Sequence, residues 1–155
     1  MSEDGSLIKR LRPLLAECSL GEQLYIGAFL ENRSGDRYRQ LAGRASDAAL
    51  AAGLHQCAER EDAIAARLRA GFNDIIWAPA DLASLLGRIQ EHVVALFGGH
   101  GVQEQFQIQA RVERGGEGFW KELATSEADP ARKTLLLECA ALEAQSAAFL
   151  ERLRE

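Results

Sequence analysis

Apolar residues recur every three or four positions along most of this chain, which is the period of a helix that buries one face. Between Leu24 and Ala42, for instance, a stripe of small and apolar residues that includes one glutamate has alternating intervals of four and three: Leu24, Ala28, Glu31, Gly35, Tyr38 and Ala42. The pattern predicts an all-α fold. Its elements are a short amphipathic segment at residues 7–18 (α1) and helices at residues 20–44 (α2), 47–70 (α3), 81–97 (α4), 102–125 (α5) and 130–154 (α6).

Start and stop signals separate these predicted helices. Asp47 and Asp81 stand at N-cap positions, and Asp129-Pro130 combines an N-cap with a proline at the first helical position. Glycines follow α3 and α4 and break the helical pattern there. The connection between α3 and α4 contains Trp77, which we expect to be buried.

Composition supports the helical interpretation. The chain has 155 residues, of which 47% are hydrophobic, only 6% are aromatic and 3 are prolines. A chain of this length forms one domain that buries roughly 70% of its unfolded surface. An all-β protein would need more β-branched and aromatic residues and regular turn clusters, so we expect one helical domain over residues 1–155.

Charge and cysteine content narrow the function classes. The net charge is -5 and the basic residues are dispersed, so we expect no nucleic-acid partner. No apolar run approaches the roughly 18 residues of a membrane span, and the acidic N-terminus is unlike a signal peptide. The 3 cysteines form no CxxC pair. These features together predict a reduced, cytoplasmic protein.

The second half of the chain repeats the first at an offset of 82 positions, which places Glu31 on Glu113. No gap is needed between residues 22 and 68 of the first copy, and 16 of the 47 aligned positions are identical. The matches include the two caps, Cys57 with Cys139, and Tyr38 with Trp120. We interpret the chain as two similar helical hairpins in a pseudo-two-fold four-helix bundle. At roughly 24 Å, α4 is long enough to connect them along the bundle.

Each long helix carries a glutamate near the middle of its inward stripe. Burying an unpaired carboxylate costs several kcal/mol, and the stripes supply almost no lysine or arginine. Protonation, a water-filled core or a bound cation would resolve this cost, and hard cations suit clustered carboxylate oxygens. The four glutamates are Glu31, Glu61, Glu113 and Glu143, and Glu117 adds a fifth carboxylate one turn from Glu113.

The repeated Glu-(x6)-Tyr/Trp-x-x-Leu-Ala element, followed by a second glutamate-bearing helix, resembles the ferritin-like superfamily, particularly its rubrerythrin-like branch. The resemblance covers roughly residues 21–154. It implies a ferritin-like bundle with a dinuclear iron or manganese site, chemistry with oxygen or peroxide or the oxidation of ferrous iron for storage, and a homodimer.

The same resemblance implies the ligands. Glu31 and Glu113 match the family's two single glutamates, and Glu61 and Glu143 match the glutamates of its two Glu-x-x-His pairs. The histidine positions fall on Ile64 and Ser146, so both imidazoles are replaced.

A shifted register is a second interpretation. It pairs Glu59 with Asp62, since Glu59-Arg60-Glu61-Asp62 resembles a rubrerythrin Glu-Arg-Glu-His with Asp in place of His. This register departs from the repeat and from the leucine stripe of α3, so we rank it second.

A rival function belongs to another class. Replacement of both histidines is also expected of a metal-free bundle that has lost the site and binds a partner or a small ligand. Cys57 and Cys139 are core residues in our preferred interpretation and a redox pair or soft ligands in the alternative. Tyr38 and Trp120 are likewise core aromatics or groups that assist a metal site.

Overall fold

The structure is a computed structural model that describes residues 7–153, and this part of the chain is almost entirely helical. The helices are α1 (Leu7–Leu15), α2 (Leu20–Gly43), α3 (Ala48–Gly71), α4 (Leu82–Phe97), α5 (Val102–Ser126) and α6 (Pro130–Arg152). The predicted bounds of the five longer helices agree with these to within a residue or two. Residue 154, the predicted end of α6, lies outside the described residues.

Side-chain caps fix the starts of three long helices. Ser19 accepts a hydrogen bond from the Glu22 amide, Asp47 from the Leu50 amide and Asp129 from the Arg132 amide. The predicted caps at Asp47 and Asp129 are therefore confirmed. Asp81 occupies the N-cap position of α4, as predicted, but its side chain makes no capping hydrogen bond. The prediction that the Asp81 side chain caps this helix was therefore wrong.

The four long helices form two hairpins. α2 packs along α3, α5 packs along α6, and the hairpins meet most closely through α3 and α6. Helix α4 connects them as predicted, and it packs on α1 and α5 rather than closely on α2. The side of the bundle between α2 and α5 is therefore the more open side, and α1 and α4 cover it.

The repeat is visible in the core. One apolar cluster contains Leu24, Ala28, Leu68, Trp120, Ala124, Leu136, Cys139 and Ala140, and the other contains their repeat partners Phe106, Ala110, Leu150, Tyr38, Ala42, Leu54, Cys57 and Ala58. The 82-residue offset thus exchanges the two clusters. A band of polar residues separates them.

Two observations concern the surface. Trp77 is 52% exposed and covers Gly21 at the start of α2, so the expectation that it is buried was wrong. Within residues 7–153, no helix is both long enough and apolar enough to cross a membrane.

Candidate metal centre

Four glutamates form the polar band between the two apolar clusters. Glu31 is 8% exposed, and Glu61, Glu113 and Glu143 are at most 2% exposed, as their inward positions predict. One carboxylate oxygen from each of Glu31, Glu61 and Glu143 lies within 4.8 Å of the others. Three helices, α2, α3 and α6, thus bring three carboxylates to one point in the core.

Glu113 completes the band from α5 and has one unpaired oxygen. Its Oε1 accepts a 2.9 Å hydrogen bond from the Tyr38 hydroxyl and another from Nε2 of Gln109. Its Oε2 is buried and has no hydrogen-bond partner within the described residues. A buried carboxylate oxygen without a partner is costly. A proton or a bound cation at this oxygen would offset that cost.

Glu143 is held on the opposite side of the band. Its Oε1 accepts a 3.1 Å hydrogen bond from Nε1 of Trp120, the repeat partner of Tyr38. A Cβ added to Gly116 would overlap this same carboxylate oxygen, so the absence of a side chain there makes room for Glu143. The two halves therefore use different aromatic donors for the same task.

The larger indole requires a compensating change across the bundle. A Cβ on Gly27 would lie 2.7 Å from Cη2 of Trp120, so only a glycine fits beside this ring. The repeat partner of Gly27 is Gln109, which fits beside the smaller Tyr38 and contributes a donor to Glu113. Arg37 in turn donates a 2.9 Å hydrogen bond to the Gln109 carbonyl oxygen, which leaves the amide nitrogen to face Glu113.

Burial favours the protonated form of these carboxyl groups. Burial, with added repulsion from Glu113, raises the pKa of Glu31 from 4.5 to about 7. Burial raises the pKa of Glu61 and of Glu143 well above the ordinary value, and the neighbouring glutamates add repulsion. Burial likewise raises the pKa of the Tyr38 hydroxyl, which stays a donor at neutral pH. Without a cation, the band therefore retains protons near pH 7.

The composition of the band suits a hard cation. Within residues 7–153, none of the four glutamates forms an ion pair with lysine, arginine or histidine. The available donors are carboxylate oxygens from four helices, with no nitrogen or sulfur ligand in the trio. Such oxygen sets fit magnesium, manganese, calcium and iron better than soft metals.

The two positions at which the ferritin-like resemblance implies histidines lie beside the band. Ser146 is fully buried, and its hydroxyl donates a long, 3.5 Å hydrogen bond to Oε1 of Glu61. Nη1 of Arg60 donates to the same hydroxyl at 3.4 Å. Ile64 is fully buried in the apolar cluster around Trp120. The chain therefore has a hydroxyl at one of these positions and a hydrocarbon at the other.

The other predicted ligands lie away from the band. Glu117 forms ion pairs with Lys121 at 2.7 Å and Arg114 at 2.9 Å, which lower its pKa. Glu59 is exposed on α3. The structure therefore keeps both in the surface ion-pair layer or in solvent rather than in the core.

Asp62, the partner of Glu59 in the shifted register, also faces outward. It accepts hydrogen bonds from Arg39 at 2.9 Å and Asn32 at 3.1 Å, and the Arg39 guanidinium lowers its pKa. Glu61, not Glu59, enters the core. The geometry therefore favours the register that follows the repeat.

Cys57 and Cys139 are buried free thiols. Burial raises the pKa of Cys57, and it raises the pKa of Cys139 to about 12. Both side chains belong to the apolar clusters that flank the band. They are therefore thiols rather than thiolates at neutral pH, which is the state of a core residue.

A cavity of about 1040 Å³ connects the band with the surface between α2 and α4. All four glutamates contribute to its inner end, together with Gly116. Apolar residues of α1 and α4 form one wall, and polar residues of α2, including Arg33 and Arg37, form the other. The carboxylates are thus buried by packing on three sides and reachable through the fourth.

Sequence reasoning missed Gln109 and Arg37 as parts of the site. The signal that points to them is the repeat alignment itself, in which Gln109 falls on Gly27 while Tyr38 falls on Trp120. Where one half of the repeat has the larger aromatic residue, Trp120, the other position of the pair is the small Gly27; where it has the smaller Tyr38, that position is the larger Gln109. Such compensating changes in size indicate that the two positions are in contact.

Comparison of the chain with protein-family models, with curated proteins and with solved structures gives no match. The assignment of a function therefore depends on the residues of this chain alone.

Proposed function

We propose that this protein is a ferritin-like bundle that binds iron or manganese in its core through Glu31, Glu61, Glu113 and Glu143. The observation that carries the proposal is the unpaired Oε2 of Glu113 beside three converging carboxylates. A divalent cation would neutralise carboxylates that form no ion pair within residues 7–153, and four carboxylates would supply enough oxygen ligands for one or two cations.

The carboxylates are also supported from outside, as ligands usually are. Tyr38 and Gln109 hold Glu113, Trp120 holds Glu143, and Ser146 contacts Glu61. Such outer hydrogen bonds orient the ligand oxygens and tune their basicity. They use one oxygen of each carboxylate and leave the other for a cation.

We further propose that the protein acts as a di-metal oxidoreductase. Bound iron or manganese would supply electrons to oxygen or peroxide that enters through the cavity beside α4. The chain's own contribution is to pack the carboxylates into the core and to supply them as ligands; because the pKa values of Glu31, Glu61 and Glu143 are raised, metal binding would release protons from these groups. With no imidazole ligand, the shell is more anionic than a Glu-x-x-His site, which favours the oxidised metal.

The experiment measures the melting temperature of chelator-treated protein with and without added Mn²⁺, or Fe²⁺ under anaerobic conditions. When the free metal concentration is 100 times the Kd, a metal that binds only the folded state raises the free energy of unfolding by about 2.7 kcal/mol. We expect a clear upward shift for the native sequence and its loss in Glu61→Gln.

Glu59→Gln is the matched control, since it removes a carboxylate two residues away on the exposed side of α3. It should retain the full metal-dependent shift. A melting temperature of the native sequence that ignores both metals and chelator would refute the proposal and support the metal-free rival.

A further inference from the structure

Helix α4 presents two apolar faces; one is buried, and the other packs against the same cluster but stays partly exposed. Leu85 and Leu96 are buried in the cluster that joins α4 to α1 and α5. On the neighbouring face, Leu86, Val93 and Phe97 line the cavity that separates α4 from α2. This second stripe faces a cavity of 1040 Å³. An apolar ligand in the cavity would remove the exposed part of the stripe from water, which is favourable, so the cavity favours an apolar occupant.

The facing wall, on α2, carries positive charge. Arg37 stacks on the Phe97 ring, with its guanidinium carbon 3.9 Å from the ring centroid, and so closes one end of the cavity. Arg33 lies one turn earlier, is exposed, and forms no ion pair within residues 7–153. Arg37 commits Nη1 to Gln109, and within residues 7–153 no other guanidinium nitrogen of Arg37 or Arg33 donates a side-chain hydrogen bond, so these N–H groups can meet an anion.

The acidic residue at the outer end of this wall is already neutralised. Asp36 pairs with Arg39 at 3.2 Å, and Arg39 also pairs with Asp62 at 2.9 Å. Two acidic groups thus share Arg39, whereas neither Arg33 nor Arg37 forms an ion pair among the described residues; the Glu113 carboxylate acts on Arg37 only at longer range. The outer end of the cavity therefore favours a negatively charged group.

We propose that this cavity binds a single unbranched acyl chain with a carboxylate head. The chain lies along the Leu86–Val93–Phe97 stripe, and the head group pairs with Arg33 and Arg37. The stripe spans roughly 16 Å at 1.5 Å per residue, which suits a chain of about a dozen carbons. The cavity volume of about 1040 Å³ is slightly above the usual range for small-molecule sites, about 300–1,000 Å³, so a dodecyl chain fits with room to spare.

This inference goes beyond the proposed metal site. The glutamates form the inner end of the cavity, so a bound chain would lie next to the metal ligands. Binding of the acyl chain depends on α1, α2 and α4 of the protein and needs no metal. Its test therefore uses chelator-treated protein, and its outcome is separate from that of the metal experiment.

Titration calorimetry with the full chain and monomeric dodecanoate tests the proposal. We expect saturable binding of one molecule per chain. Dodecyltrimethylammonium, which has the same tail and the opposite charge, should bind at least tenfold more weakly. Arg33→Gln should weaken dodecanoate about tenfold, which corresponds to the loss of a charged hydrogen bond.

A second variant fills the cavity from the α2 side. Ser34 lines the cavity, is partly buried and makes no side-chain hydrogen bond within residues 7–153. Ser34→Phe should therefore fold and block the tail, reducing affinity at least tenfold. The matched controls are Arg69→Gln on exposed α3 surface and Ser84→Phe on the exposed side of α4, and both should bind as the native sequence does.

Three results would overturn the proposal. The first is no binding of dodecanoate to the native sequence. The second is equal affinity for the anionic and cationic amphiphiles. The third is an unchanged affinity for dodecanoate in folded Arg33→Gln and Ser34→Phe proteins, which would mean that dodecanoate binds elsewhere on the surface.

Discussion

The Tyr38 hydroxyl on α2 donates a 2.9 Å hydrogen bond to Oε1 of Glu113 on α5 and so links the two hairpins across their more open side. Both groups are buried. We expect Tyr38→Phe to lower the free energy of unfolding by about 1–2 kcal/mol, because it removes a buried donor to a carboxyl group. Urea denaturation measures this loss.

Tyr25→Phe is the control for this substitution. Tyr25 lies on the same helix, is partly buried and makes no side-chain hydrogen bond within residues 7–153. It should change the free energy of unfolding by less than about 0.5 kcal/mol. Equal effects of the two substitutions would mean that the link to Glu113 is not formed.

The metal-free protein should become less stable as the pH rises from about 4.5 to about 7. The folded state raises the pKa of Glu31 from 4.5 to about 7, so in this window the folded chain binds more protons than the unfolded chain. Stability then falls with pH, and Glu31 alone accounts for roughly 3 kcal/mol across the window. Denaturant unfolding at a series of pH values, in the presence of chelator, measures the slope.

The same slope should respond to substitution and to metal. Glu61→Gln removes one of the protonated carboxyls and should flatten the fall, whereas Glu59→Gln should leave it intact. Added Mn²⁺ should reverse the trend, because a cation binds the deprotonated carboxylates. A metal-free stability that rises steadily between pH 5 and 7 would contradict the protonated band.

Gly116→Ala should separate metal binding from stability. The new methyl group would overlap Oε1 of Glu143, which can move because it is the end of a flexible side chain. Alanine also favours the helix by about 0.5–1 kcal/mol over glycine. We expect a folded protein whose affinity for Mn²⁺, measured by calorimetry, falls at least tenfold.

Gly118→Ala provides the matched comparison on the same helix. A Cβ at Gly118 would meet no atom within 4 Å. It should gain the same helical stability and keep native metal affinity. If both variants bind Mn²⁺ equally, Glu143 is not a ligand.

The Gly27–Trp120 contact predicts a double-mutant effect. A Cβ on Gly27 would lie 2.7 Å from the indole, and such overpacking costs about 1–3 kcal/mol. Trp120→Tyr installs the smaller ring that the other half of the repeat uses, so Gly27→Ala should cost less in that background. Additive losses of unfolding free energy in the two backgrounds would argue against the contact.

Much of the fold could be predicted because local signals and the repeat agree. Asp47 and Asp129 cap their helices as the sequence indicates, and Glu61 faces the core as the period of α3 requires. The 82-residue offset adds a relation between halves that no local pattern contains. From the sequence alone, it aligns Glu31 with Glu113 and Glu61 with Glu143.

The rest depends on contacts between helices that are distant in sequence. Glu117 is one turn from Glu113 and fits the stripe, but Arg114 and Lys121 hold it outside. The roles of Gln109 and Arg37 depend on how closely α2 approaches α5. The cavity beside α4 depends on where a crossover helix comes to rest, which helical periodicity does not specify.

Anomalous diffraction from crystals soaked in Mn²⁺ would locate the cation among the glutamates. We expect a peak in the core, roughly 2.0–2.6 Å from carboxylate oxygens of Glu31, Glu61 and Glu143, with Oε2 of Glu113 turned toward it. Anomalous peaks confined to surface carboxylates such as Glu117, with none among the four buried glutamates, would contradict this expectation.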